Sequence, residues 1–459
     1  MARRRVVVLG GGVAGVMVAE RLVQHLSGEA DLTLVARRAW GPIGPLLAPV
    51  AAGALDPRLA TAPLRPRLSG ARLAVATVTS VDPVSRLVLL EGDEVRAGFA
   101  PAQLGYDDVV LALGASPVHE ALALPFAGVS SVAAVRDRLA QALAAASSED
   151  SPRKRRLLTT VVVLGGSPAA CSLAASTLLA LRAATSDWPR LLPDEPRVVL
   201  VSPSGPLPGA PAARVESVTR ALTALGVELR RGAVLSLAPD HLRLEGDERL
   251  EARTVIAADA SRAPDCLGPV RDANGRVPVA ATLQSATFPG VWALGACADL
   301  PAPVTTLDDL SAQADLIARN VAARARQGAL VDRATSPRWH LLGLAPGVGV
   351  GSIGPVPVPS SIAWRLHLAR ELRRGWPTAS PLLALAPSLP ALSPALPASV
   401  APAAPLLTPP PPVVAGSLGS IAATLPLPAL PLGSITPEGV TTPGLPPFTL
   451  PLPPPPRRG

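Results

Sequence analysis

Two apolar runs with nearly the same lettering organise this chain: Val6-Val7-Val8-Leu9-Gly10-Gly11 near the start and Val161-Val162-Val163-Leu164-Gly165-Gly166 far downstream. Each is four unbroken aliphatic residues closed by glycine, the pattern of a short parallel strand buried on both faces. An alanine-rich helical stretch follows each run, Val13 to Leu26 and Ala169 to Leu181. Each helix leads into a second run, Leu32-Thr33-Leu34-Val35 and Val198-Val199-Leu200-Val201, so the pattern predicts two βαβ units. Val109-Val110-Leu111-Ala112 ends at Gly114 and Val291-Trp292-Ala293-Leu294 ends at Gly295, two more strands that stop where a chain passes close to a ligand. Leu73 to Glu91 alternates and turns at Asp82-Pro83, which predicts a small antiparallel insertion.

Composition adds three things to that pattern. Aromatics make up 2% of the 459 residues, so the core is aliphatic, and the 55 prolines are densest from Pro377 onward, where Pro-Leu-Pro and poly-Pro runs forbid helix or central strand. The three cysteines, Cys171, Cys266 and Cys297, are too scattered for a disulfide framework, and a reducing cytoplasmic setting is expected. Met1 to Arg5 before an apolar run has the look of a signal peptide, but Gly10-Gly11-Gly12 cuts the run short, and no stretch of about 18 apolar residues free of charge or proline announces a membrane span. The net charge of +8 leaves two readings open, attraction to an anionic membrane surface or an arginine-rich solvated exterior; no nucleic-acid partner is expected. His25, His119, His241, His340 and His367 have no ligand spacing, so no metal is expected, and Asp308-Asp309 reads as a turn or helix start rather than a catalytic pair.

The candidate chemistry sits at the first glycine turn. Gly10, Gly12 and Gly15 complete a G-x-G-x-x-G between strand and helix: Gly10 for the tight turn, Gly12 for backbone approach to a pyrophosphate, Gly15 for helix-on-strand packing. Val13 and Ala14 open the helix, whose free amides and dipole favour an anion. Ala36 occupies the place at the end of the next strand where a carboxylate normally grips ribose, and Arg37 and Arg38 follow it.

The stretch Arg37 to Leu47, continuing through Val50-Ala51-Ala52-Gly53 to Pro63-Leu64-Arg65, is similar to a segment of type II NADH dehydrogenases. Tyr106-Asp107-Asp108-Val109-Val110-Leu111-Ala112-Leu113-Gly114 resembles that family's Tyr-Asp-x-Leu-Val-Leu-Ala-Thr-Gly, and Phe288 to Ala298 resembles its Pro-Gly-Val-Phe-Ala-Ile-Gly-Asp-Cys-Ala. Ala312-Gln313-Ala314 resembles its Ala-Gln-Ala segment near the flavin and quinone, so the likeness runs from about Val6 to Trp376. It implies an α/β fold of two Rossmann-like three-layer domains: an FAD-binding domain from 1–125 and 270–330, an NAD(P)-binding domain inserted at 126–269, a C-terminal segment at 331–376 and a proline-rich tail at 377–459. It also implies FAD lined by Gly10, Gly12, Val13, Ala14, Gly15, Ala36, Arg37, Pro45, Gly114, Gly295, Ala296 and Gln313, and NAD(P)H at Gly165, Gly166, Ser167, Pro168 and Ser202. The implied activity is hydride transfer from NAD(P)H to flavin and on to a quinone or other small electron acceptor, in a cytoplasmic or peripheral membrane protein, with a homodimer in prospect. No side chain is assigned to catalysis, because the flavin carries the chemistry.

The chain departs from the family pattern at the polar contacts. Ala36, Leu113 and Ala296 replace an acid, a threonine and an aspartate on the flavin side; Ser167, Ser172 and Ser202 replace a glycine and two acids on the nicotinamide side. Losing two carboxylate contacts to FAD costs on the order of 3–6 kcal/mol, roughly two to four powers of ten in affinity. A non-catalytic relative that keeps the fold as a binding or scaffolding module is therefore the alternative reading. At the C-terminus, Ile362, Leu366, Ala369, Leu372 and Trp376 share one expected helical face and Arg365, Arg370, Arg373 and Arg374 lie elsewhere, which suits either a membrane interface or the protein's own core.

Overall fold

The unbroken aliphatic runs are buried from both sides, as their lettering requires. A computed structural model describes residues 3–26, 28–115, 122–126, 128–259, 263–273, 275–300, 307–333, 339–353 and 356–375, with 435–436 and 439–440. Contacts between Cα atoms divide the chain into two units, Met1–Ala401 and Pro402–Gly459. In the second, Ile435–Thr436 pairs antiparallel with Gly439–Val440; the rest of the proline-rich stretch lies outside the described residues, as do His119 and Trp376.

In the first unit the chain runs through β1 (Arg4–Leu9), α1 (Val13–Leu26), β2 (Ala30–Ala36), α2 (Gly44–Ala51), β3 (Arg72–Val75), β4 (Asp108–Leu111), β5 (Leu124–Pro125), β6 (Thr160–Leu164), α3 (Pro168–Ala184), β7 (Arg197–Val201), β8 (Glu228–Arg230), β9 (Thr254–Ala257), β10 (Val291–Ala293), α4 (Leu307–Ala325), β11 (Trp339–Ala345), β12 (Val348–Ile353) and α5 (Ser360–Gly375). Two five-stranded parallel sheets result, ordered β10-β4-β1-β2-β3 and β5-β9-β6-β7-β8. Each is an open α/β sheet of Rossmann type.

Alternate residues of the runs serve opposite layers. Val6 and Val8 face α1 and α4, while Val7 and Leu9 face an antiparallel meander of Thr77–Asp82, Leu87–Glu91 and Gln103–Gly105. Likewise Val161 and Val163 face the helices, and Val162 and Leu164 face a second meander of Val234–Leu237, His241–Leu244 and Arg249–Glu251. A polar residue at any of these eight positions would be buried without a partner. By length and composition Pro168–Asp187 would pass for a membrane span, but 67% of it is buried inside the protein, where its apolar character serves the core.

The C-terminal segment adds the antiparallel pair β11 and β12, with α5 laid across them. A Cβ at Gly349 would sit 2.4 Å from the Trp364 amide nitrogen, so glycine lets the helix rest directly on the strand. The helix does not bury the face expected from its lettering. Ala363, Trp364, Leu368 and Leu372 are buried, whereas Ile362 and Leu366 are 46% and 38% exposed. The helix carries apolar residues on more than one side, and the strands beneath select the side carrying the bulky Trp364.

One buried carboxylate ties the first sheet together. Asp108, fully buried on β4, accepts from Arg4 Nε of β1 at 2.5 Å and from Trp292 Nε1 of β10 at 3.0 Å, and pairs with Arg324 Nε of α4 at 3.1 Å. Burial pushes its carboxyl above the ordinary value, against the pull of the two guanidinium groups. Removing it strands two cations at the sheet edge. Asp108→Ala is expected to cost about 3–5 kcal/mol, read as a lowered denaturant midpoint. An unchanged midpoint would contradict the role given to this residue.

Candidate functional site

The two strand–glycine–helix turns have the same backbone wiring. Gly10 N donates to Val35 O at 2.8 Å and Gly165 N to Val201 O at 2.8 Å; Val16 N reaches Gly12 O at 3.1 Å and Cys171 N reaches Ser167 O at 3.0 Å. Beyond each turn the third strand closes in, with Ala112 N to Leu9 O at 2.9 Å and Ala258 N to Leu164 O at 2.9 Å. The turns differ in what their remaining amides meet.

At the first turn, no described residue accepts from the amides of Gly11 or Gly12, and the helix begins its internal bonding only at Val16. Gly10, with φ +119°, and Gly15 are glycine for packing: a Cβ would lie 2.3 Å from Ala112 O in one case and 1.9 Å from Gly10 O in the other. Gly12 is different. A Cβ there would meet nothing within 4 Å, so the protein's own packing does not explain the missing side chain. An open cradle of free amides at a helix N-terminus fits a pyrophosphate.

At the second turn the cradle is filled from within. Asp259 accepts from Gly166 N at 2.7 Å (Oδ2) and from Ser167 N at 3.1 Å (Oδ1), and a Cβ on Gly165 would sit 2.4 Å from its Cγ. Leu207 N, on a residue with φ 51°, closes onto Gly166 O at 2.7 Å, and the Ser202 hydroxyl donates to Gly205 O at 3.1 Å within the same loop. A carboxylate here takes the donors that a pyrophosphate needs and adds a like charge. These residues do not fit a pyridine nucleotide.

Beside α2 and the start of α3 lies a cavity of about 470 Å³, within the range of small-molecule sites. Gly44, Pro45 and Leu47 of α2 form one wall, Ser167, Pro168 and Ser172 a second, Leu307 and Leu310 of α4 a third, and Leu341, Trp364, His367 and Glu371 the floor. Burial pushes the His367 imidazole down to about 4 and the Glu371 carboxyl up to about 8, so both are uncharged at neutral pH. Gln313, buried on α4, accepts from Gly295 N at 2.9 Å and fixes the loop after β10 against the helix. The Cys297 thiol donates to Leu111 O at 3.1 Å; burial pushes it up to about 11, and it packs as an ordinary core thiol.

The pyridine nucleotide-disulphide oxidoreductase family model matches residues 4–322, spanning both sheets and α4. The chain belongs to that family. Among solved structures, this family member is similar to NDH2 from Plasmodium falciparum in complex with NADH, at 13% identity and a TM-score of 0.68 over 84% of this chain and 98% of that one. It is also similar to the sulfide:quinone oxidoreductase of Aquifex aeolicus, at 17% identity and a TM-score of 0.63 over 83% and 92%, and to putidaredoxin reductase in its covalent complex with putidaredoxin, at 20% identity and 0.53 over 77% and 82%. At these identities the likeness concerns the fold. No curated protein matches the chain in sequence.

Neither half of the family's description has its usual means here. The second cradle is filled, and of the free thiols Cys171 and Cys297 are buried and Cys266 is partly buried, none of them lining the cavity. Of the residues singled out in the sequence, Gly10, Gly12, Val13, Ala14 and Gly15 form the open turn, and Pro45, Ser167 and Pro168 line the cavity. Ala36 is buried, with a Cβ on Gly11 falling 2.6 Å from its own; Arg37 and Ala296 are exposed, and Gly114, at φ +75°, faces open space. Gly165, Gly166 and Ser202 belong to the closed turn, and Ser167 also caps α3 through Ala170 N at 3.2 Å. Sequence reading missed Asp259, His367 and Glu371. A signal for Asp259 existed in the internal repeat: the registers of β4 on β1 and β9 on β6 place Asp259 where the first half has Leu113.

Asp259→Ala frees two amides and removes a negative charge from the turn. Calorimetric titration with NADH is expected to show binding at least about tenfold tighter in this variant than in the natural chain. Equal affinities would mean that the carboxylate does not obstruct the site.

Proposed function

We propose that this chain is an FAD-dependent oxidoreductase that passes electrons to a quinone-class acceptor in the cavity beside Pro45. The observation that carries this reading is the open first cradle: free amides at Gly11 and Gly12, and a glycine at position 12 that packing does not require. Gly12, Val13 and Ala14 would hold the pyrophosphate through backbone donors, and FAD so bound supplies a two-electron redox centre. Ala36 offers no grip on the ribose, so affinity rests on the backbone and on burial.

The cavity contributes apolar walls from Pro45, Leu47, Leu310 and Leu341 and an uncharged floor, which accept a neutral ring and penalise a charged one. Exposed Val356, Ile362 and Leu366 beside Arg365 and Arg373 support a peripheral membrane location, where a lipid-soluble acceptor would be met. No hydride step from a pyridine nucleotide is drawn, because Asp259 fills that cradle. The same filled turn, with the missing flavin carboxylates, is what favours the second reading, a non-catalytic binding or scaffolding protein.

The two readings separate on one preparation. The purified chain is mixed with FAD, freed of excess, photoreduced without oxygen and then given a short-chain naphthoquinone. A retained yellow chromophore that bleaches and returns on adding quinone is expected; a protein that stays colourless under excess FAD eliminates the oxidoreductase reading. Two glycine variants test the cradle itself. Gly12→Val should leave the melting temperature unchanged and weaken FAD by more than about tenfold, since its side chain enters open space where the ligand would lie. Gly15→Ala should lower the melting temperature, because its Cβ would fall 1.9 Å from Gly10 O.

A further inference from the structure

Glu371 is anomalous among the groups lining the cavity. It is 8% exposed, stands on α5 one turn after His367, and makes no hydrogen bond or ion pair with any described residue. Its neighbour Arg370 is in a close ion pair with Asp308 of α4, and its charge draws the Glu371 carboxyl down against the larger effect of burial. The other charged groups on this side, Asp309 and Arg214, lie in each other's field. Neither α2 nor β12 carries a charged residue, and β11 carries no acid.

Holding a carboxyl largely away from water with no protein hydrogen bond is costly, and its oxygens, which are not fully enclosed, are open to a ligand in the cavity. It faces a cavity whose other polar groups are the hydroxyls of Ser167 and Ser172 and the His367 ring. Burial pushes its carboxyl up to about 8, so near neutral pH it presents an O–H donor rather than a charge. The His367 ring, packed against Gly343 with Cδ2 2.7 Å from where a Cβ would be, is neutral as well. A cavity that carries no charge and holds the Glu371 O–H beside the hydroxyls of Ser167 and Ser172 selects a neutral ligand with an acceptor oxygen and rejects anions.

We propose that Glu371 anchors and protonates the acceptor: its O–H donates to a carbonyl oxygen of a neutral quinone-class ligand, and the proton follows as the ligand is reduced. This rests on the oxidoreductase reading above for its electrons. Reduction of the quinone to the quinol takes two electrons and two protons: a reduced flavin bound as in that reading would supply both electrons and one proton as a hydride, Glu371 gives the second proton, and the carboxylate left behind regains its proton from water. Glu371 is thus assigned as a catalytic residue, and His367 is not given a step.

The first test needs no flavin. The FAD-free protein is titrated calorimetrically with a short-chain naphthoquinone from pH 6 to 9.5. Affinity should fall at least about fivefold as the pH rises through 8 in the natural chain, because the donor becomes an anion. Glu371→Gln keeps a donor that does not titrate, so its affinity should be flat across this range, and Glu371→Leu should bind weakly throughout. In the second test, quinone reoxidation of the reconstituted, photoreduced Glu371→Gln protein should be slowed about tenfold or more with affinity retained. A pH-independent affinity in the natural chain, or an undiminished rate in Glu371→Gln, overturns the proposal. If the pH-dependent binding is present but no flavin is retained, the cavity assignment stands and the oxidoreductase reading falls; if flavin is held and reoxidised regardless of position 371, the reverse holds.

Folding stability supplies a control on the charge state. A carboxyl whose folded value is raised contributes stability that is fully present below the ordinary carboxylate range and is lost as pH rises through about 8. The melting temperature of Glu371→Gln should therefore exceed that of the natural chain by a margin that grows from pH 5 to pH 9. A constant margin would show that Glu371 titrates like an exposed carboxylate and would remove the donor on which the proposal depends.

Discussion

A helix that starts at the end of a buried strand leaves its first amides pointing into a crevice, and those donors must find an acceptor. This chain builds that situation twice with the same backbone geometry and meets the demand in opposite ways. At α3 the acceptor is the Asp259 side chain, contributed by the loop after the neighbouring strand. At α1 no described side chain is offered, and a Cβ at Gly12 would meet nothing within 4 Å. The two turns are otherwise interchangeable in their hydrogen bonding.

The remaining architecture holds the two turns in place. The sheet strands alternate between a helical layer and a meander, so the turns cannot shift without disturbing packing on both sides. The Asp108 cluster joins β1, β4, β10 and α4 at the end of the sheet away from the first turn, since Asp108 pairs opposite Val6 while the turn follows Leu9. On the other side, α5 presses Trp364, His367 and Glu371 into the space between the two halves, so a segment outside both sheets forms the floor of the cavity.

Much of this was legible in the lettering. The helix expected from Val13 to Leu26 has those bounds, and the aliphatic runs became the central strands, because glycine turns and double-sided burial leave local marks. The first cradle was legible for the same reason. Asp259 was not, because its meaning depends on register: only when Ala257 stands opposite Leu164 does the side chain two residues later reach the turn. The orientation of α5 was likewise hidden. Its lettering permits more than one apolar face, and the burial of Glu371 runs against any rule that places charged residues outside.

An acid that does the work of a phosphate has a consequence for how the protein depends on its surroundings. The half of the molecule built on β6 and α3 carries its own counter-anion covalently, so the acceptor for its first helical amides is in place once it folds. At the turn between β1 and α1 no described side chain plays that part, so two halves alike in backbone differ in whether folding alone supplies the acceptor.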